Sequence, residues 1–196
     1  MTIELNSLSK TVKSFKYTTV VSNGNFTSTT GWTGTDSTIS TSNNILTITG
    51  TGTSGAVVCA QSTSSALASN KKFYISAKLK VTNSNCTGIF IRANGTTTGS
   101  ILTVNNFNNP VINTEYTLSG IYTVTTQTGN LLVQARHSYA DAATALNKQM
   151  EVREFYAIDL TDLYGSGREP VLADCRNIFK FVETRNQPSL SKTLAV

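Results

Sequence analysis

Two periodicities divide the chain. Met1, Leu5, Leu8, Val12 and Phe15 are spaced 4, 3, 4 and 3 apart, which is the heptad spacing of a helical seam. Two heptads are marginal as an isolated helix in water, so such a stripe would need a partner. An extended arm with coincidental spacing is the alternative. From Tyr17 onward the period drops to two, and turn residues punctuate the chain. Strands are predicted over 17–22, 37–40, 45–49, 56–61, 72–81, 88–93, 101–104, 116–124, 131–139 and 148–159. Between them lie clusters such as Ser22-Asn23-Gly24-Asn25 and Asn105-Asn106-Phe107-Asn108-Asn109-Pro110, rich in residues that tolerate positive φ or bond their own backbone. In the longest clear alternation, Phe73, Ile75, Ala77, Leu79 and Val81 interleave with Lys72, Tyr74, Ser76, Lys78 and Lys80. That pattern predicts one buried and one wet face, as in antiparallel sheets.

Ten short strands with no helices between them predict an all-β fold, a two-sheet antiparallel jelly-roll sandwich. A short N-terminal arm or helix precedes it and one C-terminal helix follows. That helix is expected after Gly165-Ser166-Gly167, opened by Glu169-Pro170, with Leu172, Cys175, Ile178, Phe179 and Val182 on one stripe. The expected organisation is 1–16 as an attachment or oligomerisation arm and 17–164 as the sandwich. Residues 165–182 form the turn and helix, and 183–196 a polar tail or docking strand.

Composition narrows the class. Thr, Ser, Asn and Gly supply 84 of 196 residues, and only 14% are charged, against roughly 25% in ordinary soluble proteins. That excludes a coiled-coil rod as the main body and argues against a helical bundle, while the β-branched bursts argue against disorder. No apolar run approaches the ~20 residues of a membrane span. The opening Met1-Thr2-Ile3-Glu4-Leu5-Asn6 lacks the basic and then apolar pattern of a signal peptide. The expectation is a soluble domain made in the cytoplasm, with no membrane partner. The net charge is +5, but the basic residues are scattered and no nucleic-acid motif accompanies them, so no nucleic-acid partner is expected. Between Asp36 and Glu115 there are five basic residues and no acidic one. Cys59, Cys86 and Cys175 are an odd set without zinc or disulfide spacing, and are read as buried thiols. Sequons at Asn25, Asn85 and Asn94 are what so much Asn and Thr produces by chance.

Catalytic chemistry is thinly supplied. His137 is the only histidine and sits in an alternating strand. Glycoside hydrolysis needs two carboxyls across a cleft. Glu151 and Glu154, three apart, would point to opposite faces of a regular strand. Gly165-Ser166-Gly167-Arg168 lacks the length and lysine of a phosphate loop. An enzyme is not expected.

The run Ala157-Ile158-Asp159-Leu160-Thr161-Asp162-Leu163-Tyr164-Gly165-Ser166-Gly167-Arg168-Glu169-Pro170 resembles the I-D-L-T-x-L-F-G-x-G-x-E-P closing motif of carbohydrate-binding-module-like jelly rolls in bacteriophage tail proteins. Ser22-Asn23-Gly24-Asn25-Phe26 with Gly31-Trp32 resembles the N-G-x-F-E … G-W opening of the same modules. The resemblance covers residues 20–182. It implies a structural protein of a phage tail, baseplate or fibre, located in the virion. Other virion tail proteins are the implied partners, together with a homo-oligomer, a trimer being commonest in such appendages. Leu5, Leu8, Val12 and Phe15 are then the candidate oligomerisation residues. Modules of this kind often hold a structural calcium. Asn25 and Asp159 are the candidate ligands here, but Thr27 stands where the acidic ligand belongs, so no cofactor is expected.

Sugar recognition on a sandwich uses aromatic platforms and polar side chains on an outward sheet face. The candidates are Tyr74, Lys78, Arg92, Gln134, Arg136 and Tyr139, with Trp32 and Phe107 as further aromatics. The resulting expectation is attachment to host-surface glycans. A virion assembly protein that binds no glycan, and the targeting module of a cell-wall enzyme, are the alternatives.

Overall fold

The computed structural model describes residues 13–97, 101–179 and 189–194. Within them β2 (Trp32–Thr35), β5 (Ala56–Ala66), β10 (Asn130–Ser138), β7 (Gly88–Gly95) and β8 (Leu102–Asn108) form one sheet in that spatial order. The second sheet runs β3 (Ser37–Ser42), β4 (Ile45–Gly50), β11 (Gln149–Asp159), β6 (Lys72–Val81) and β9 (Tyr116–Thr123). Both are antiparallel throughout, and their inner faces enclose one apolar core. This is the sandwich the alternation predicts.

Every second residue of each central strand enters that core: Phe73, Ile75, Ala77, Leu79 and Val81 from β6, Ile89, Ile91 and Ala93 from β7, and Leu131, Val133 and Ala135 from β10. Trp32 is buried between Phe26 and Phe155, with ring centroids 5.1 and 5.3 Å away. Its indole Nε1 donates to the Asn23 carbonyl. The opening motif is therefore a packing device. A Cβ on Gly24 would collide with the Phe155 carbonyl oxygen, and the Phe155 N–H donates to Gly24 O at 3.0 Å. Only glycine lets this turn close on β11.

The N-terminal expectation needs correction. β1 (Lys13–Thr18) and β12 (Ser189–Leu194) pair antiparallel, from Lys13↔Leu194 to Thr18↔Ser189. Phe15 is thus in a strand and the helical stripe does not run through it; Leu5, Leu8 and Val12 lie outside the described residues. The physical reason is the alternation Lys13-Ser14-Phe15-Lys16-Tyr17, whose period of two suits a ladder. The C-terminal segment is the docking strand of the two readings given above, and it docks on its own chain.

Three helices are short. α1 (Ala142–Ala145) is capped by Asp141, which accepts from Thr144 N at 2.7 Å. α2 (Leu160–Tyr164) and α3 (Leu172–Ile178) follow β11. The closing motif builds this corner. Asp159 caps α2 by accepting from Asp162 N at 3.0 Å. Thr161 Oγ1 accepts from Lys72 N at 2.9 Å and donates to Glu169 Oε1 at 2.9 Å. Gly165 and Gly167 take φ of 87° and 79°, and Gly167 N donates to Glu169. The motif latches the helices against β6.

That latch decides the fate of one outer face. On the second sheet, Tyr74, Tyr156 and Ile158 point away from the main core, but Leu160, Cys175 and Phe179 cover them in a second apolar cluster. Arg176 adds a hydrogen bond from Nε to Ser119 Oγ at 3.0 Å. The rest of this face is laced with ion pairs: Lys78–Glu154 and Lys80–Glu151, both 2.8 Å, and Arg153–Glu115.

Candidate functional site

Among the described residues, the outer face of the other sheet has neither cover. Register places its outward side chains in rows across the strands. One row runs Thr33, Ala60, Gln134, Arg92 and Thr103; the next runs Thr35, Val58, Arg136, Phe90 and Asn106. Arg92 lies directly opposite Gln134, and Arg136 directly opposite Phe90. The two arginines are therefore diagonal neighbours, with backbones roughly 7–8 Å apart. Arg136 lays its guanidinium over the Phe90 ring, 5.4 Å from the centroid, while its Nε donates to Ser138 Oγ at 3.1 Å. A guanidinium held over an aromatic ring is restrained in place and can offer its donors to a planar or hydroxylated ligand.

The electrostatics of this face are one-sided. The five strands of its sheet contain no Asp or Glu. Among the described residues no carboxylate pairs with Arg92 or Arg136; every described ion pair belongs to the other sheet or its flanking loops. Burial lowers the Arg92 pKa from its ordinary value, and the neighbouring charge of Arg136 lowers it further. Gln134 is 8% exposed, and its side-chain carbonyl has no hydrogen-bond partner. Asn94, on the same face of β7, has a buried side-chain oxygen that is also unpaired. Small residues on β5, Val58 and Ala60, and exposed threonines on β2 leave the middle of the sheet low.

Of the six predicted sugar-site residues the structure brings together three: Arg92, Gln134 and Arg136. Tyr74 is corrected. It is fully buried on the opposite sheet and stacks on Phe179, because the C-terminal helix turns its nominally wet face into a second core. Lys78 is on that opposite sheet too, bound to Glu154. Tyr139 is also buried, and its hydroxyl is 2.9 Å from His137 Nδ1 between the sheets. Trp32 belongs to the core, whereas Phe107 is exposed and packs against Tyr116 at 4.4 Å. The alternation that places Ile89 and Ile91 inside also places Phe90 outside. It was hidden in the apolar run Ile89-Phe90-Ile91.

The two candidate calcium ligands do not converge. Residue 24 pairs with Phe155, four residues before Asp159 on β11, a separation of about 13 Å along a strand. Asp159 instead binds the Lys71 ammonium at 2.6 Å and caps α2. No group of three or more His, Cys, Asp or Glu side chains clusters in a metal-binding arrangement among the described residues. The two residues named from the opening and closing motifs, Asn25 and Asp159, are therefore not brought together as ligands of one ion. Glu151 and Glu154 share one face, not two, because a bulge between Arg153 and Tyr156, with Glu154 at φ 50°, inserts an extra residue. Each is neutralised by its own lysine.

No family model matches the chain, and no curated protein matches it in sequence. Solved structures do. The CBM22-1 xylan-binding domain of Paenibacillus barcinonensis Xyn10C aligns over 76% of this chain and 96% of its own, at 17% identity and a TM-score of 0.52. An arabinose-bound GH51 α-L-arabinofuranosidase aligns over 74% of this chain at 10% identity, TM-score 0.56. The enzymatically active domain of bacteriophage CBA120 tailspike protein 4 aligns over 71% at 19% identity, TM-score 0.49. This chain spans 27% of the arabinofuranosidase and 21% of the tailspike domain. What the chain shares with the xylan-binding domain is the fold, a two-sheet antiparallel β-sandwich of jelly-roll type.

Proposed function

We propose that this chain is a glycan-binding structural protein of a phage tail, baseplate or fibre. The open outer face of the β2-β5-β10-β7-β8 sheet is its binding surface. One observation carries the reading: of two outer faces built by the same alternation, one is sealed by helices and ion pairs, while the other sets half-buried Arg92, Arg136 and Phe90 around a buried Gln134 whose carbonyl is unpaired. The likeness to a xylan-binding domain supports a saccharide as the ligand class. The opening and closing motifs support the virion setting, with other tail proteins as partners and a trimeric assembly. The role is binding rather than catalysis. The sole histidine is buried between the sheets, and Glu151 and Glu154 are tied to lysines.

The test is a glycan panel with the purified protein, followed by adsorption of the protein to host cells. Saturable binding that Arg92→Ala weakens without lowering the melting temperature supports the reading. A folded protein that binds no glycan, yet is found in purified particles, supports the assembly role instead.

A further inference from the structure

The sheet face described above is short of negative charge in a way that a neutral sugar does not require. Arg92 and Arg136 are diagonal neighbours on adjacent strands, an arrangement that repels unless something neutralises it. The protein supplies nothing that does so: no acidic residue occurs in any of the five strands, and neither arginine meets a carboxylate among the described residues. Among the other described cations, Lys71, Lys72, Lys78, Lys80 and Arg153 each lie within 4 Å of a carboxylate, while Lys148, Arg168 and Arg176 do not; what sets Arg92 and Arg136 apart is that two such cations are neighbours on one sheet face. Gln134 lies between the two arginines, nine-tenths buried, with an unpaired carbonyl. A buried polar atom without a partner costs about 1–3 kcal/mol, a cost that a ligand hydroxyl or a bound water at this position relieves.

Resting on the glycan-binding reading, we infer that the ligand is an anionic saccharide. Its carboxylate or phosphate group is bound by the Arg92–Arg136 pair, and its hydroxyls meet Gln134 and Asn94. Arginine suits both anions, because its planar fork donates two parallel hydrogen bonds to either. Phe90 holds Arg136 in place through the contact of its ring with the guanidinium. Val58 and Ala60 on β5 leave room for the chain to cross toward Thr33 and Thr35.

The experiment is isothermal titration of the full chain with three probes: polygalacturonate (carboxylate), a glycerol-phosphate wall teichoic acid (phosphodiester) and neutral xylohexaose. Each is measured at 20 and at 300 mM NaCl. The inference expects at least tenfold tighter binding to one anionic probe than to xylohexaose, and weakening as salt rises. Which anionic probe wins identifies the source of the charge. Arg92→Gln should reduce that binding at least tenfold, and Lys148→Gln, which removes the same charge elsewhere, should change it less than twofold. If Arg136→Gln fails to fold for want of its Phe90 contact, Arg92→Gln carries the test alone, having no such stack. Tighter binding of xylohexaose, unchanged in Arg92→Gln, overturns the anionic inference and leaves the glycan reading standing. Equal losses in Arg92→Gln and Lys148→Gln overturn it as bulk charge attraction. A folded protein that binds none of the three overturns both.

Discussion

Tyr74 stacks on Phe179 with ring centroids 5.2 Å apart and planes 24° apart, joining the start of β6 to the C-terminal end of α3. This pair, with Tyr156 and Ile158 beside it, makes the second sheet buried on both faces at one end. Helix α3 is only seven residues long and would not persist alone. Its stability comes from Cys175 and Phe179, which are both fully buried. Phe179→Ala should therefore destabilise the fold by about 3–5 kcal/mol, the range for removing a buried aromatic ring. Urea unfolding followed by tyrosine fluorescence reads it. A loss below 1 kcal/mol would mean that α3 is an ornament and that Tyr74 is covered by something else.

That contact also marks the limit of what the sequence makes legible. The inner faces were readable because period-two alternation depends on neighbours along one strand, and Phe73 to Val81 obey it. Tyr74 obeys it as well, on the face that reads as wet. What buries it is a helix a hundred residues later, and no local pattern records that docking. The same reasoning covers β2, whose four residues are too few to alternate visibly, and Glu154, whose bulge breaks the strand register. In the candidate site, Arg92, Gln134 and Arg136 were legible as outward polar positions on two strands. Their adjacency needed the pairing register Gln134↔Arg92, which composition does not contain. The closing motif was recognisable as a pattern; its work as a latch through Asp159, Thr161 and Glu169 is visible only in three dimensions.

Gly24 offers a sharper test of the opening motif. A methyl group there would collide with the Phe155 backbone, which belongs to β11 and has no flexible end to yield. Gly24→Ala should cost at least about 2 kcal/mol, and should loosen Trp32, whose indole donates to Asn23 next door. A red shift of the single tryptophan's emission, together with a lower urea midpoint, is the expected outcome. An unchanged midpoint would mean that the turn can shift away from β11 at no cost.

His137 should set part of the acid limb of stability. Burial lowers its pKa to about 3, and its Nε2 has no partner, so the native ring is neutral. The unfolded chain, with an ordinary value near 6.5, takes the proton first. The contribution of this residue is therefore complete above pH ~6.5 and is lost as pH falls toward about 3, by up to ~1.4 kcal/mol per pH unit. His137→Phe should flatten the stability profile between pH 6.5 and 4, whatever it does to stability at pH 7. A variant with the same slope as wild type in that window would place the acid sensitivity in the carboxylates.

Lys71 tests whether the domain carries its own counter-charge for Asp159. Its ammonium is 2.6 Å from Asp159 and 3.2 Å from Asp162, and 5.7 Å from the Phe73 ring centroid. Burial pulls its pKa down, but the hydrogen bonds and charges of Asp159 and Asp162 outweigh that and hold it above the ordinary lysine value. The stabilisation is then fully present below pH ~10.5 and is lost as pH rises through the raised native value. Lys71→Met leaves Asp159, 7% exposed, without its counter-charge. It should cost about 1–3 kcal/mol at pH 7, with the gap to wild type narrowing as pH rises through the raised lysine value. Because the cation is covalently part of the chain, a chelator should leave the wild-type melting temperature unchanged. A melt that falls by many degrees in EDTA, and recovers with calcium alone, would show that a metal rather than Lys71 neutralises this corner.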